Sequence, residues 1–481
     1  MNRHGLRRAW VKYAALAALV AAGGASGLYL STRLPADDLT PIPIESTSND
    51  LSLYSDSSTV LHRFPLTALD AKDTIEAPDL AVASNGRVFI TWASKTGDTE
   101  RTVFLTRTTD DGRAFDPPKI VSKGSIYKTT PKGNSKTGGY ERRATPHVAV
   151  DGDTLHLAWS EGLSNGSGMR MIHTTSIDAG TTFGPLQQVH RGDGAKPTFT
   201  AMTIGSHGAL VCSWLDDRTG TQQPFVAIHQ PGTKEFEVER LVHSGQDDKG
   251  VCQCCPTAVA FGQDGTLYVA FRNIQDGYRD IAISRLKPGA RQFDGPFSVI
   301  PNTWKFDGCP HDGPSLAVIG DTLHVLWMDA RSGPQRCYHG WAKVADMKFT
   351  ARELHPGTPG TQGNAKLCAD SLGNVHAVWE ESTGIEPTPA ESPGGHQHGQ
   401  PKVGVGGGRA VVYARILRGE AEFSGFQAIA PKSGTFQTRP GITVTPTGDV
   451  FIAWNELDVG GKAVVVTRLT DRAHRTEGVR P

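Results

Sequence analysis

Residues 146–159 read PHVAVDGDTLHLAW: a proline, an apolar stretch, a turn containing Gly152, and a second stretch ending in Trp159. In TLHLAW the large apolar side chains fall on every second residue. That is the period of a half-buried β-strand rather than of a helix. Two such stretches separated by a short turn form a hairpin. The pattern recurs six more times, as PDLAVASNGRVFITW, PTFTAMTIGSHGALVCSW, PTAVAFGQDGTLYVAF, PSLAVIGDTLHVLW, AKLCADSLGNVHAVW and PGITVTPTGDVFIAW. The closing aromatics of these six are Trp92, Trp214, Phe271, Trp327, Trp379 and Trp454.

After each aromatic comes a polar loop, then a third strand such as RTVFLTRTT, MRMIHTTS, RDIAISRL or AVVYARIL. A short fourth strand follows, such as KIVS, LQQVH, FSVI or FQAIA. A unit of this size cannot bury its own faces, and four antiparallel strands repeated radially make a β-propeller. The expected fold is therefore all-β. Seven four-stranded blades are expected over residues 67–475, with six as the alternative if one unit is an irregular insertion. The last unit lacks a fourth strand after VVVTRL. TVLHRFPL, at the end of the 36–66 linker, is placed to supply it and clasp the ring.

Composition agrees with many short strands and tight turns: 55 Gly, 30 Pro and nine Trp among 481 residues, with hydrophobic content of 38%. Lys+Arg and Asp+Glu both number 49, so the net charge is zero. Nothing global points to nucleic acid or an acidic partner, and any electrostatic function is local. At the N-terminus, Arg3, Arg7, Arg8 and Lys12 precede the apolar run YAALAALVAAGGASGLYL. Positive charge stays cytoplasmic while an apolar run inserts, so residues 1–35 read as an export signal, cleaved or retained as an anchor. The expected location is periplasmic or extracellular, with attachment to the inner membrane if the segment is retained. Seven cysteines in such a compartment favour disulfides, with one left over.

Two turns between third and fourth strands read TTDDGRAF (108–115) and SIDAGTTF (176–183). Both follow Ser/Thr-x-Asp-x-Gly-x-x-aromatic, the Asp-box, and on these the chain resembles the sialidase (neuraminidase)-like propellers. The resemblance implies a structural role for Asp110, Gly112 and Phe115, and for Asp178, Gly180 and Phe183. The carboxylate accepts backbone N–H bonds of the turn, the glycine takes positive φ, and the aromatic plugs the blade. It also implies an exo-α-sialidase-type glycoside hydrolase, in which three arginines clamp the sialate carboxylate. The first of these opens the first blade in an Arg-Ile-Pro motif, where this chain has Glu76-Ala77-Pro78. A glutamate there repels the carboxylate, which favours a binding propeller without sialidase turnover.

Propeller geometry gathers the segments leading into each first strand at one mouth of the channel, beside the loops after each aromatic. Arg142, Arg143, Lys196, Arg272 and Arg439 fall there and suit a small anionic molecule or an acidic glycan. So does a soft-ligand cluster. Cys252, Cys254 and Cys255 lead into the fourth unit; Cys309 and His311 lead into the fifth. Such groups suit Cu or Zn, while disulfides stapling the same loops are the competing expectation. His396 and His398 lie in a Gly-rich insertion that reaches the same face.

Overall fold

The computed structural model describes residues 60–65, 74–96, 100–109, 112–126, 145–163, 168–191, 194–246, 250–308, 310–382, 408–432, 434–458 and 461–470. All of these belong to the compact unit Asn49–Pro481. The export segment, Arg142, Arg143, Asp110, Cys309, His396 and His398 lie outside the described residues.

Among the described residues there is no α-helix, and the strands form seven antiparallel groups of four, with the short strand Thr74–Ile75 added beside Val88–Thr96 in unit one. Unit two shows the plan: His147–Asp151, Thr154–Gly162, Met169–Ser176 and Gln187–Gln188 pair in order. Unit three has Thr198–Ile204, Leu210–Asp216, Gln223–His229 and Arg240–Leu241. Unit four has Ala258–Phe261, Leu267–Arg272, Ile281–Leu286 and Asp294–Ser298. Units one, five and six repeat it, beginning at Asp79–Val82, Ser315–Ile319 and Gln362–Ala369. In unit seven, Phe436–Val444, Val450–Asp458 and Gly461–Leu469 take their fourth strand from the other end of the chain. Val60–Pro65 runs antiparallel to Gly461–Leu469, with Val60 opposite Arg468.

The first strands touch in sequence around a ring, and Phe436–Val444 closes it against Asp79–Val82. Seven apolar clusters fill the spaces between neighbouring units. Each repeat is therefore stabilised by the next, and the ring leaves no unit with an uncovered face. The closing tryptophans Trp92, Trp159, Trp214, Trp327, Trp379 and Trp454 are fully buried in these layers. This architecture is a β-propeller.

The Asp-box of unit two takes the form its sequence implies. Asp178 accepts from Thr182 N at 2.8 Å and from the Thr182 hydroxyl at 2.6 Å, and Gly180, at φ +84°, donates to Ser176 Oγ at 2.8 Å. The Thr182 bonds hold the Asp178 carboxyl well below the usual carboxylate range. Phe183 packs on the cluster between units one and two. In unit one, Gly112 has φ +64°, and Phe115 packs between units one and seven against Phe64 and Phe451.

Candidate metal centre and channel mouth

A buried clamp occupies the mouth in five units. Each tryptophan indole donates to the acid two residues on: Trp159 to Glu161 at 3.1 Å, Trp214 to Asp216 at 3.1 Å, Trp327 to Asp329 at 2.9 Å. Trp379 donates to Glu381 at 3.0 Å and Trp454 to Glu456 at 3.3 Å. Each acid also meets a basic side chain: Arg170, Arg218, Arg331, His355 and Arg63 respectively. A buried carboxylate needs such partners, so these acids hold the blades together rather than face a ligand. The Trp-x-acid spacing repeats in the sequence of units two, three, five, six and seven. Unit one has Ser94 at the acid position, and the Trp92 indole has no hydrogen-bond partner among the described residues.

Glu76 is buried and bonded to Arg101 NH2 at 2.8 Å, with Arg101 only 1% exposed. A glutamate in the position of the expected arginine thus neutralises a buried guanidinium of the same unit.

The first strands surround a central cavity of about 440 Å³. Four non-glycine residues with left-handed backbones line it: Phe199 (φ +53°), His311 (+56°), Asn364 (+50°) and Arg439 (+52°). Phe199, Asn364 and Arg439 sit in bulges at the same register of units three, six and seven, between Thr198/Ala201, Gly363/Lys366 and Thr438/Gly441. Such backbone is costly for side chains larger than glycine, and bulges re-aim a side chain next to functional sites. Beside the mouth, Asp312 is 4% exposed and accepts from Asn364 N at 2.6 Å; burial pushes its carboxyl pKa up. Asn364 in turn bonds Glu380, which also pairs with Arg409 at 3.2 Å.

The three described residues expected to bind an anion have different surroundings. Arg439 lines the cavity, and its guanidinium NH1 donates to Ile75 O at 3.4 Å. Lys196 pairs with Asp217 at 3.5 Å. Arg272 is 1% exposed and donates to the carbonyls of Asp312, Arg279 and Met328 at 2.7–3.2 Å.

The cysteine segment does come together. Cys252, Cys254 and Cys255 are all buried, with their sulfurs within 4.8 Å of one another. Cys252 Sγ lies 3.7 Å from Cys254 Sγ and 3.6 Å from Cys255 Sγ. The loop is pinned by Val251 N to Gln222 O at 2.7 Å and Cys252 N to Arg272 O at 2.9 Å. Gly250 makes this approach possible: at φ +83°, a Cβ would stand 2.5 Å from Gln222 O. The sulfurs sit in the layer between units three and four, packed with Phe199, Leu215, Val251 and Phe271. Arg279 NH1 donates to Cys252 Sγ at 3.2 Å. Hydrogen bonds from Cys254 and Cys255, then the charges of Arg272 and Arg279, hold the Cys252 thiol pKa well below its usual range; burial pushes that of Cys255 up.

The six described cysteines carry no disulfide. His311, expected beside them, is not part of the three-sulfur group and lines the cavity instead.

No protein-family model matches the sequence. No curated protein matches it either. Similar solved structures include the NanB sialidase of Streptococcus pneumoniae, at 12% identity over 88% of this chain and 70% of that one, TM-score 0.42. The β-propeller domain of the Trilobed protease from Pyrococcus furiosus matches at 8% identity over 83% of this chain and 98% of that one, TM-score 0.44. The polysaccharide lyase Uly1 matches at 11% identity over 82% and 89%, TM-score 0.49.

Proposed function

We propose that this chain is an exported binding propeller that holds a soft metal ion, Cu or Zn, at Cys252, Cys254 and Cys255. Its channel binds a small anionic molecule or glycan beside Arg439, without sialidase turnover. The observation that carries the reading is the group of three buried sulfurs within 4.8 Å. Buried thiols are ordinarily dispersed as small apolar side chains, as Cys212 is here. Three on one loop beside a guanidinium form a ligand set for a thiophilic ion. The basic and apolar N-terminal sequence supports export. The Glu76–Arg101 pair supports the absence of sialidase chemistry, because an acid stands where a carboxylate clamp is needed.

The test is elemental analysis of protein purified from the periplasm, beside a free-thiol count. The expected result is one bound ion per chain, lost in Cys252→Ser. Metal-free protein with the triplet oxidised would sink the reading. A fluorogenic sialoside assay on the same material is expected to show no turnover; activity abolished by Arg439→Ala would restore the hydrolase reading.

A further inference from the structure

We infer that the three-cysteine centre is built for Cu(I) in preference to Zn(II), an inference that rests on the metal-binding reading above. The donor set is the first reason. Among the described residues the group contains sulfur alone, with no imidazole or carboxylate. Monovalent copper is satisfied by soft thiolates at low coordination number, whereas structural zinc takes four ligands and open zinc sites complete themselves with water.

The surroundings are the second reason. The three cysteines are 1–4% exposed and packed with Phe199, Val251 and Phe271. That apolar shell disfavours the water that three-ligand zinc requires.

Charge is the third reason. Arg279 donates to Cys252 Sγ and to Phe306 O, and Arg272 donates to three backbone carbonyls. Among the described residues neither is hydrogen-bonded to a carboxylate, unlike Arg170, Arg218 and Arg331 in the clamps of other units, although the Asp312 and Asp329 carboxylates act on Arg272 through space. Three thiolates around one monovalent cation carry two net negative charges, against one around a divalent cation. The Arg279 guanidinium bonded to Cys252 Sγ therefore stabilises the monovalent assembly more, because an uncompensated buried charge carries its full desolvation cost. Loading is coordination alone: three S–H protons leave for solvent, three Cu–S bonds form, and copper stays Cu(I).

The experiment uses the full chain, reduced and anaerobic. Cu(I) is presented as its bicinchoninate complex, and Zn(II) is presented from a chromophoric chelator. One Cu(I) per chain is expected, with only sulfur neighbours in X-ray absorption and no displacement by equimolar Zn(II). Cys309→Ser is expected to retain Cu(I), and Cys255→Ser to lose it. Arg279→Gln, folded by circular dichroism, is expected to bind Cu(I) about tenfold more weakly while changing Zn(II) binding less. Zinc binding as tight as copper, a requirement for Cys309, or an unchanged Cu(I) affinity in Arg279→Gln would each overturn the copper preference and leave the metal site standing. Binding of neither ion would overturn both.

Discussion

Units three and four are neighbours built on one strand plan, and the same end of the blade carries different chemistry in each. In unit three the indole of Trp214 and the guanidinium of Arg218 converge on the carboxylate of Asp216, which is fully buried. In unit four the aromatic is Phe271, which has no N–H to satisfy, and Asn273 replaces the acid. Arg279, which occupies a different position from the clamp arginines, donates to Cys252 Sγ and to Phe306 O. Buried thiols from the lead-in loop lie in this layer, and one of them accepts from Arg279. A repeat fold permits this exchange because each blade is locally complete, so one unit can change its chemistry while its neighbours keep the ring closed.

The comparison can be broken by removing the clamp where it exists. Asp329→Ala in unit five strips an acceptor from Trp327 and the counter-charge from Arg331, which is 19% exposed at its side chain. Urea unfolding is expected to show a loss of about 3 kcal/mol, the low end for a broken buried pair because Arg331 reaches partly to solvent. Loss below about 1 kcal/mol would mean the clamp is packing alone. Its inverse sharpens the contrast. Phe271→Trp in unit four places an indole N–H where position 273 is an amide and no carboxylate waits, and should cost about 1–3 kcal/mol through overpacking and an unmet donor. Adding Asn273→Asp should recover part of that loss by rebuilding the clamp. No recovery would show that unit four differs in backbone as well as in side chains.

The smallest effect at neutral pH lies at the opposite turn of the blades. Units two and five hold paired histidines at the same register, His156 with His173 and the half-buried His324 with His339, each pair at 3.1 Å; unit four has Tyr268 and Ile283 there. Burial lowers the pKa of His156 and His324 to about 4, and of His173 and His339 to about 3. Below pH 6.5 the unfolded chain takes up these protons first, so their contribution is intact above 6.5 and declines as pH falls toward 4. Thermal midpoints should drop across that window, and His173→Ile with His156→Tyr, which copies unit four, should flatten part of the drop. A midpoint independent of pH from 7 to 4 would contradict it.

Much of the fold was readable because its determinants are local. The alternation in TLHLAW, the recurrent aromatic and the SIDAGTTF turn each act within a dozen residues. VLHRFP also carried enough alternation to mark the strand that pairs with Gly461–Leu469. The site was harder. Aligning the units on their prolines puts Pro256 level with Pro78, Pro146, Pro314 and Pro440. Hydrogen-bond register places it one residue earlier, since Ala258 faces Ala270 while Asp79 faces Thr91 and Ser315 faces Leu326. The left-handed bulges at Phe199, Asn364 and Arg439 carry no glycine to announce them.

The sequence by itself determined that short antiparallel strands repeat, that Asp-box turns join them, and that thiols cluster on one loop. Those are consequences of side-chain period and backbone preference over a few bonds. Only the tertiary structure decided that Glu76 serves Arg101, that five of the mouth acids are held in indole clamps, and that three sulfurs meet between two blades with Arg279 on one of them. Those contacts join chain segments through ring closure and strand register, and register depends on cross-strand bonding and bulges that no single segment encodes.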